Sequence, residues 1–425
     1  MARDAHAAVE AVWRIESARL IAGLTRIVRD LGRAEDLAQD ALLAAMERWP
    51  ATGVPANPGA WLMTAAKNRH IDLMRRGARM MAKEPLLERE LEIRQELSGE
   101  PDLEAIDDDV GDDLLKLVFT TCHPVLSREA RVALTLRMLG GLTTPEIARA
   151  FLVPEATLAQ RIVRAKKTIA EANVPYEVPT GAELAPRLAS VLEVVYLIFN
   201  EGYSATAGDD WLRPALCEDA LRLGRILAEL APREPEVHGL VALMEIQASR
   251  TRARTDRAGN PILLPDQDRS RWDRILITRG LAALDRAEAL GGAMGPYALQ
   301  AAIAACHARA RAAEETDWER IVALYDALAE LTPSPVIELN RAVALAQAYG
   351  PAAGLDLVDQ LVDDPALKEY HLLPSVRGDL LARLGRFAEA REEFARAAAL
   401  TRNGREQDLL LGRAEACARL ATPPA

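Results

Sequence analysis

Apolar positions recur every three to four residues along most of the chain, the spacing of amphipathic helices. The pattern predicts a helix from about Ala8 to Asp30, a second from Glu35 to Trp49 and a third from Gly59 to about Arg79. Pro50, Gly53, Pro55 and Pro58 mark the loop between the last two. In the second helix Leu37, Ala41 and Ala44 form the expected core stripe, and Asp36, Gln39 and Asp40 share an exposed acidic face. In the third, Leu62, Ala66 and Leu73 make the expected buried stripe, while Trp61, Asn68, Asp72 and Arg75 fall together on another face. Lys67, Arg69, Arg76, Arg79 and Lys83 add positive charge around it. A basic helix face carrying Asn and Arg beside an aromatic ring can neutralise phosphates and contact unstacked bases. A solvated basic face with Trp61 in the core is the simpler reading.

A second pattern begins at Ser127, which caps a predicted helix running to Leu139 with Glu129 in its first turn and Gly140 and Gly141 at its end. Thr143 or Thr144 then caps a short helix with Pro145 at its first position, through Phe151. The turn Leu152-Val153-Pro154 leads into a longer helix from Glu155 to about Ala170, so the segment reads as a helix-turn-helix. Leu158, Ile162, Ala165 and Ile169 form the buried stripe of the last helix. Thr157, Gln160, Arg161 and Arg164 occupy its other face, with Lys166 and Lys167 toward its end. Polar side chains at the start of such a helix can reach base edges in a major groove.

Beyond residue 184, helix-like runs at 186–200, 214–230, 235–250, 270–290, 296–312 and 317–331 alternate with short breaks. Arg257-Ala258-Gly259-Asn260 is the one β-hairpin candidate. Helix pairs continue through 335–425, where Gly378, Leu381, Gly385-Arg386-Phe387, Ala390, Phe394 and Ala397 match a tetratricopeptide-like repeat. Stacked helix pairs of this kind expose a concave surface suited to a protein or peptide partner. The fold class expected is therefore all-α.

Composition sharpens this picture through charge. The chain of 425 residues carries a formal net charge of −11, which taken alone argues against nucleic acid. The charge is unevenly spread: +4 over 1–83, −11 over 84–113, +5 over 114–174 and −9 over 175–425. Basic helical blocks thus flank an acidic connector, expected to be an extended linker in its second half (Gly99, Pro101, Asp107, Asp108, Asp109, Asp112, Asp113).

The longest apolar run, Leu188 to Phe199, carries Glu193 and is too short to span a bilayer. No signal peptide is expected, and Cys122, Cys217, Cys306 and Cys417 lie far apart, which suits a reducing cytoplasm. Neither Cys122-His123 nor Cys306-His307 has a second pair at ligand spacing, so no metal and no cofactor is expected. Asn200-Glu201-Gly202-Tyr203 and Asp266-Gln267-Asp268-Arg269 could line a pocket. Without a nucleophile or base network they read as turn and cap chemistry or an interdomain contact, and no enzyme is expected.

Two basic helical blocks joined by an acidic connector resemble the extracytoplasmic-function sigma factors of bacterial RNA polymerase. GRAEDLAQDALLAAMERW resembles the polymerase-binding helix of sigma region 2, and NPGAWLMTAAKNRHIDLMRR its promoter −10 helix. LSREARVALTLRMLGGLTTPEIARAFLVPEATLAQRIVRAKKTI is similar to region 4, which reads the −35 element. VVYLIFNEGYSAT and TDRAGNPILLPDQDRSRWDR resemble a subgroup with a large C-terminal helical extension. The resemblance implies region 2 over 1–83, an acidic linker over 84–113 threading toward the polymerase active-site and RNA-exit path, region 4 over 114–174 and an extension over 175–425.

By the same resemblance, Asp36, Gln39 and Asp40 would contact core polymerase. Asn68, Arg69, Asp72, Arg75 and Arg76, with Trp61 beside them, would bind the melted −10 strand. Thr157, Gln160, Arg161 and Arg164, followed by Lys166 and Lys167, would face the −35 major groove. The implied partners are core RNA polymerase and promoter DNA, with no membrane, and the extension would be a built-in regulatory module. The alternatives left by the residues themselves are a helix-turn-helix regulator whose C-terminal half senses a ligand or protein, and a tetratricopeptide scaffold.

Overall fold

Small residues decide where the first helices meet. The computed structural model describes residues 2–81, 103–205 and 207–421, with side chains at 9, 11–76, 112–205 and 207–421. They form two compact units, Met1–Val194 and Val195–Ala425. In the first, α1 (Ala2–Val28), α2 (Leu31–Thr52) and α3 (Pro58–Met81) pack on one another. Ala34, Ala38, Ala41 and Ala45 of α2 are buried and let α1 approach closely, with Ile21 and Leu24 filling the seam. Asp30 caps α2 by accepting the Arg33 amide at 2.8 Å, and Asn57 accepts the Ala60 amide at 3.0 Å to open α3. Helix α2 carries Pro50 in its last turn and closes at Gly53 (φ 81°), one turn further than the proline pattern predicted.

Two expected core positions differ. Ala44 is only half-buried, and the α2 stripe runs instead through Leu37, Ala38, Ala41, Ala45 and Trp49. Leu73 is 40% exposed, because the buried stripe of α3 opens past Ile71 and leaves Leu73 and Met74 toward solvent.

The acidic connector also departs from expectation. Residues 103–113 are not extended but form the first half of α4 (Leu103–Thr121), which packs against α1 and against α5 (Arg128–Met138). Apolar residues at 103, 106, 110, 114 and 117 repeat with helical period, and acids crowded toward the N-terminus favour the helix dipole. That pattern outweighs like-charge repulsion. Lys83 and residues 84–102 lie outside the described residues.

Helices α5, α6 (Thr144–Ala150) and α7 (Glu155–Glu171) form the expected helix-turn-helix, with α5 and α6 both packed on α7. Ser127 caps α5, and Thr143 with Glu146 forms a capping box on α6. Leu152 in the turn has φ 50°, a left-handed conformation usually given to glycine. Gly141 (φ 70°) ends the α5 segment against α1, where a Cβ would meet Ser17 Oγ at 2.8 Å.

The second unit takes up α8 (Leu184–Tyr203) from Val195 onward. It then runs through α9 (Pro214–Leu230), α10 (Pro235–Ala248), α11 (Arg274–Ala289), α12 (Pro296–Arg309) and α13 (Trp318–Leu331), close to the predicted runs. Helices α10 and α12 are buried on nearly all sides. Within α10, Glu245 is held by Arg225 at 2.8 Å and Arg279 at 3.6 Å, and Glu236 accepts the Tyr297 and Ala298 amides at the start of α12.

Helices α14 (Pro335–Ala348), α15 (Pro351–Leu361), α16 (Leu372–Arg383), α17 (Phe387–Leu400) and α18 (Gly404–Ala421) share a continuous core. Gly378 of α16 lies against the Phe394 ring of α17, and Leu381, Ala390, Phe394 and Ala397 are buried as the repeat pattern requires. The residues of the hairpin candidate make only a turn, closed by a single antiparallel bridge between Thr255 and Pro261. The described strands, β1 (Ala207–Gly208) and β2 (Arg402–Asn403), pair in parallel.

Candidate nucleic-acid interface

Helix α7 presents its polar face as its periodicity dictates. Leu158, Ile162, Ala165 and Ile169 are buried, which turns Thr157, Gln160 and Arg164 to solvent and leaves Arg161 half-buried at the edge. These four side chains line one groove of about 330 Å³ together with Ser127 and Ala130 at the start of α5. The capped α5 N-terminus and the polar face of α7 therefore share one concave surface, rich in donors.

Lys166 and Lys167 divide. Lys167 is exposed near Glu171, at 3.5 Å. The Lys166 ammonium instead lies 2.7 Å from Oε2 of Glu35, on α2. Glu35 Oε1 accepts from Arg137 Nε of α5 at 2.6 Å and from Gln39 Nε2 at 2.9 Å. Glu35 is only 4% exposed. Burial alone would raise its carboxyl pKa, but Lys166 and Arg137 outweigh that and hold it below the usual carboxylate range. Further contacts tie the first block to the second and to the segments on either side of the second. Arg14 approaches Glu146 at 3.5 Å, Arg26 pairs with buried Asp113 at 2.9 Å, and the Tyr176 hydroxyl lies 3.0 Å from the Ala22 carbonyl and 2.9 Å from that of Asp113. A cleft of about 710 Å³ between the blocks is lined by Arg26, Arg29, Lys116, Lys166 and Lys167.

On the first block, Asp36 is exposed and Gln39 and Asp40 are half-buried. Asp40 Oδ2 accepts from Arg69 Nε of α3 at 2.7 Å, so a residue expected to meet polymerase holds one expected to meet the −10 strand. Asn68, Asp72, Arg75 and Arg76 are exposed on α3. Trp61 is half-buried with its ring edge-on to Trp49 at 5.3 Å, which combines the core and surface readings of that residue. His70 lies beside this face, its imidazole held below its usual pKa by burial and by Arg33.

Sequence reasoning missed Glu35, Arg137 and Tyr176. The signal for Glu35 was available: it sits on the apolar phase of α2 between Leu31 and Ala38, where a carboxylate requires a partner. The cysteines are buried, and burial pushes the Cys122 thiol up to about 11, although Thr135 lies 3.3 Å away. Among the described residues no His/Cys/Asp/Glu group could hold a metal ion, and no helix is long and apolar enough to cross a membrane.

A capped helix-turn-helix with a polar, basic face follows a three-helix block that carries an acidic and a basic face, and both blocks match regions of transcription initiation factors. Residues 15–80 match the family Sigma-70 region 2, residues 116–169 match Sigma-70 region 4, and residues 187–288 match a family of unknown function (DUF6596). The chain is 46% identical over 389 residues to an uncharacterized protein of Rhizobium meliloti (strain 1021), covering 90% of this chain and 89% of that one. It is 31% identical over 160 residues to the ECF RNA polymerase sigma factor SigL of Mycobacterium tuberculosis, covering 37% of this chain and 79% of that one. No solved structure matches the chain. The chain belongs to the extracytoplasmic-function RNA polymerase sigma factors and carries a large helical extension beyond regions 2 and 4.

Proposed function

We propose that the protein is a cytoplasmic sigma factor that binds core RNA polymerase, directs it to particular promoters and is regulated through its own C-terminal extension. Its working parts are region 2 over 1–83, the acidic segment over 84–113 (helical from Leu103), region 4 over 114–174 and the extension over 175–425. Asp36, Gln39 and Asp40 dock polymerase. Trp61, Asn68, Arg69, Asp72, Arg75 and Arg76 capture the opened −10 strand, and Thr157, Gln160, Arg161, Arg164, Lys166 and Lys167 face the −35 groove. The convergence of Thr157, Gln160, Arg161 and Arg164 on one groove of a capped helix-turn-helix carries this reading.

In-vitro transcription with purified core enzyme tests it: promoter-specific initiation is expected, and its loss together with failure to co-elute with core would refute it. Charge reversal at Asp36 and Asp40 (Asp36→Lys, Asp40→Lys) is expected to abolish initiation. A regulator working through the helix-turn-helix alone would keep its DNA binding and its effect on transcription. Arg164→Ala is expected to cost about 1–3 kcal/mol in promoter affinity and to relax selectivity at the −35 element, read by competition binding at fixed salt.

A further inference from the structure

The two motifs left without a role, around Tyr203 and around Arg269, come together in the second unit and enclose positive charge. Arg250 and Arg254 follow the C-terminus of α10, and each is only 8% exposed. Tyr203 lies against both. The Arg254 guanidinium carbon stacks 3.6 Å from its ring centroid, and Arg250 lies 5.8 Å from it and donates to its hydroxyl at 2.8 Å. Trp211 stands 5.7 Å from Arg254, and Trp272 stands 5.9 Å from Arg250. Tyr203 and Trp211 are half-buried and form the accessible side of the cluster.

Among the described residues neither Arg250 nor Arg254 pairs with a carboxylate. Arg250 also bonds the side-chain oxygen of Gln247, and Arg254 bonds the carbonyl of Tyr203. The nearest acid in sequence to Tyr203, Glu201, is held by Arg213. Arg250 Nε and Trp272 Nε1 are buried donors with no partner. The C-terminal dipole of α10 supplies about half an elementary negative charge against two full positive ones. Two adjacent buried guanidiniums without a carboxylate, one of them with an idle Nε donor, are costly unless something anionic completes them. Arg269 differs, because it is satisfied by the carbonyls of His307 and Ala310. Burial together with Arg250 and Arg269 pushes the His307 imidazole down to about 4, so His307 stays neutral and adds no further charge near physiological pH.

We propose that Arg250 and Arg254 hold an oxyanion, the carboxylate or phosphate of a small molecule, and that the extension is its receptor. Guanidinium forks suit either group in bidentate geometry, and the aromatic walls strengthen the attraction by excluding water. The proposal rests on this cluster alone and stands independently of the sigma-factor reading.

The test uses the full-length chain, with thermal unfolding and tryptophan fluorescence followed during titration with sodium phosphate or sodium acetate. Sodium chloride of equal ionic strength is the baseline, because it carries the general salt effects. A saturable response to one anion above that baseline is expected, and which anion gives it distinguishes phosphate from carboxylate. In Arg254→Gln the dissociation constant should rise at least about tenfold, whereas Arg252→Gln, at an exposed neighbour, should leave it unchanged. In chloride alone Arg254→Gln should unfold no earlier than the wild type, since it removes an uncompensated charge. Arg250→Gln supplies the same comparison if the first variant fails to fold. Saturation by neither anion, an unchanged dissociation constant in both variants, or equal loss of stability in both with and without anion overturns the proposal.

Discussion

Glu35 shows how much one side chain can decide. Its carboxylate is the shared acceptor of Arg137 and Lys166, and removing one member of a buried ion cluster strands the others. Glu35→Gln is expected to destabilise the first unit by about 3 kcal/mol, measured by urea unfolding. The folded pKa of Glu35 lies below its unfolded value of 4.5, so its contribution is full above that value. It is lost as pH falls through the depressed folded pKa. The stability gap between wild type and Glu35→Gln should therefore close as pH falls from 4.5 through the depressed folded pKa. At this scale the sequence was partly legible. The α7 polar face could be read from spacing, because a helix with one buried stripe leaves its other face no choice. The Glu35 partners could not, since Arg137 and Lys166 are more than a hundred residues away and only the packed fold brings them near.

Helices and caps were the most legible elements. Ser127, Thr143 and Pro145 announce their helices through local hydrogen bonds that need no tertiary partner. Local rules failed where two of them competed, as in 103–113, where charge repulsion argued for a tether and apolar period argued for a helix. The turn before α7 gives a test at this level. Leu152 is exposed yet held at positive φ, which costs an L-residue about 1–2 kcal/mol. Leu152→Gly removes that strain and returns part of it as unfolded-chain entropy, leaving an expected gain of about 0.5–1 kcal/mol in thermal or urea unfolding. A loss of stability would show that Leu152 packs where its exposure says it does not. The same logic made the tetratricopeptide-like pair readable: Gly378 and Phe394 fit because one vacates what the other fills.

Over the whole molecule, segmental charge outlined the plan better than net charge did, since −11 averages basic and acidic segments that do different things. What it could not reveal is that the two basic blocks pack together through Glu35 and through Arg14 with Glu146. Glu35→Gln should therefore bind −35 duplex more tightly than wild type at low salt, even while it is less stable; equal or weaker affinity would separate the ion cluster from DNA binding. On the proposed reading Lys166 has one ammonium and two claimants, a phosphate and Glu35. Glu35 is then an inhibitor built into the chain, a competitor present at fixed effective concentration however dilute the protein. Dilution leaves such a competitor untouched. Salt screens that buried pair little, so Lys166 stays with Glu35 and promoter affinity should fall less steeply with ionic strength than a count that includes Lys166 among the phosphate contacts implies.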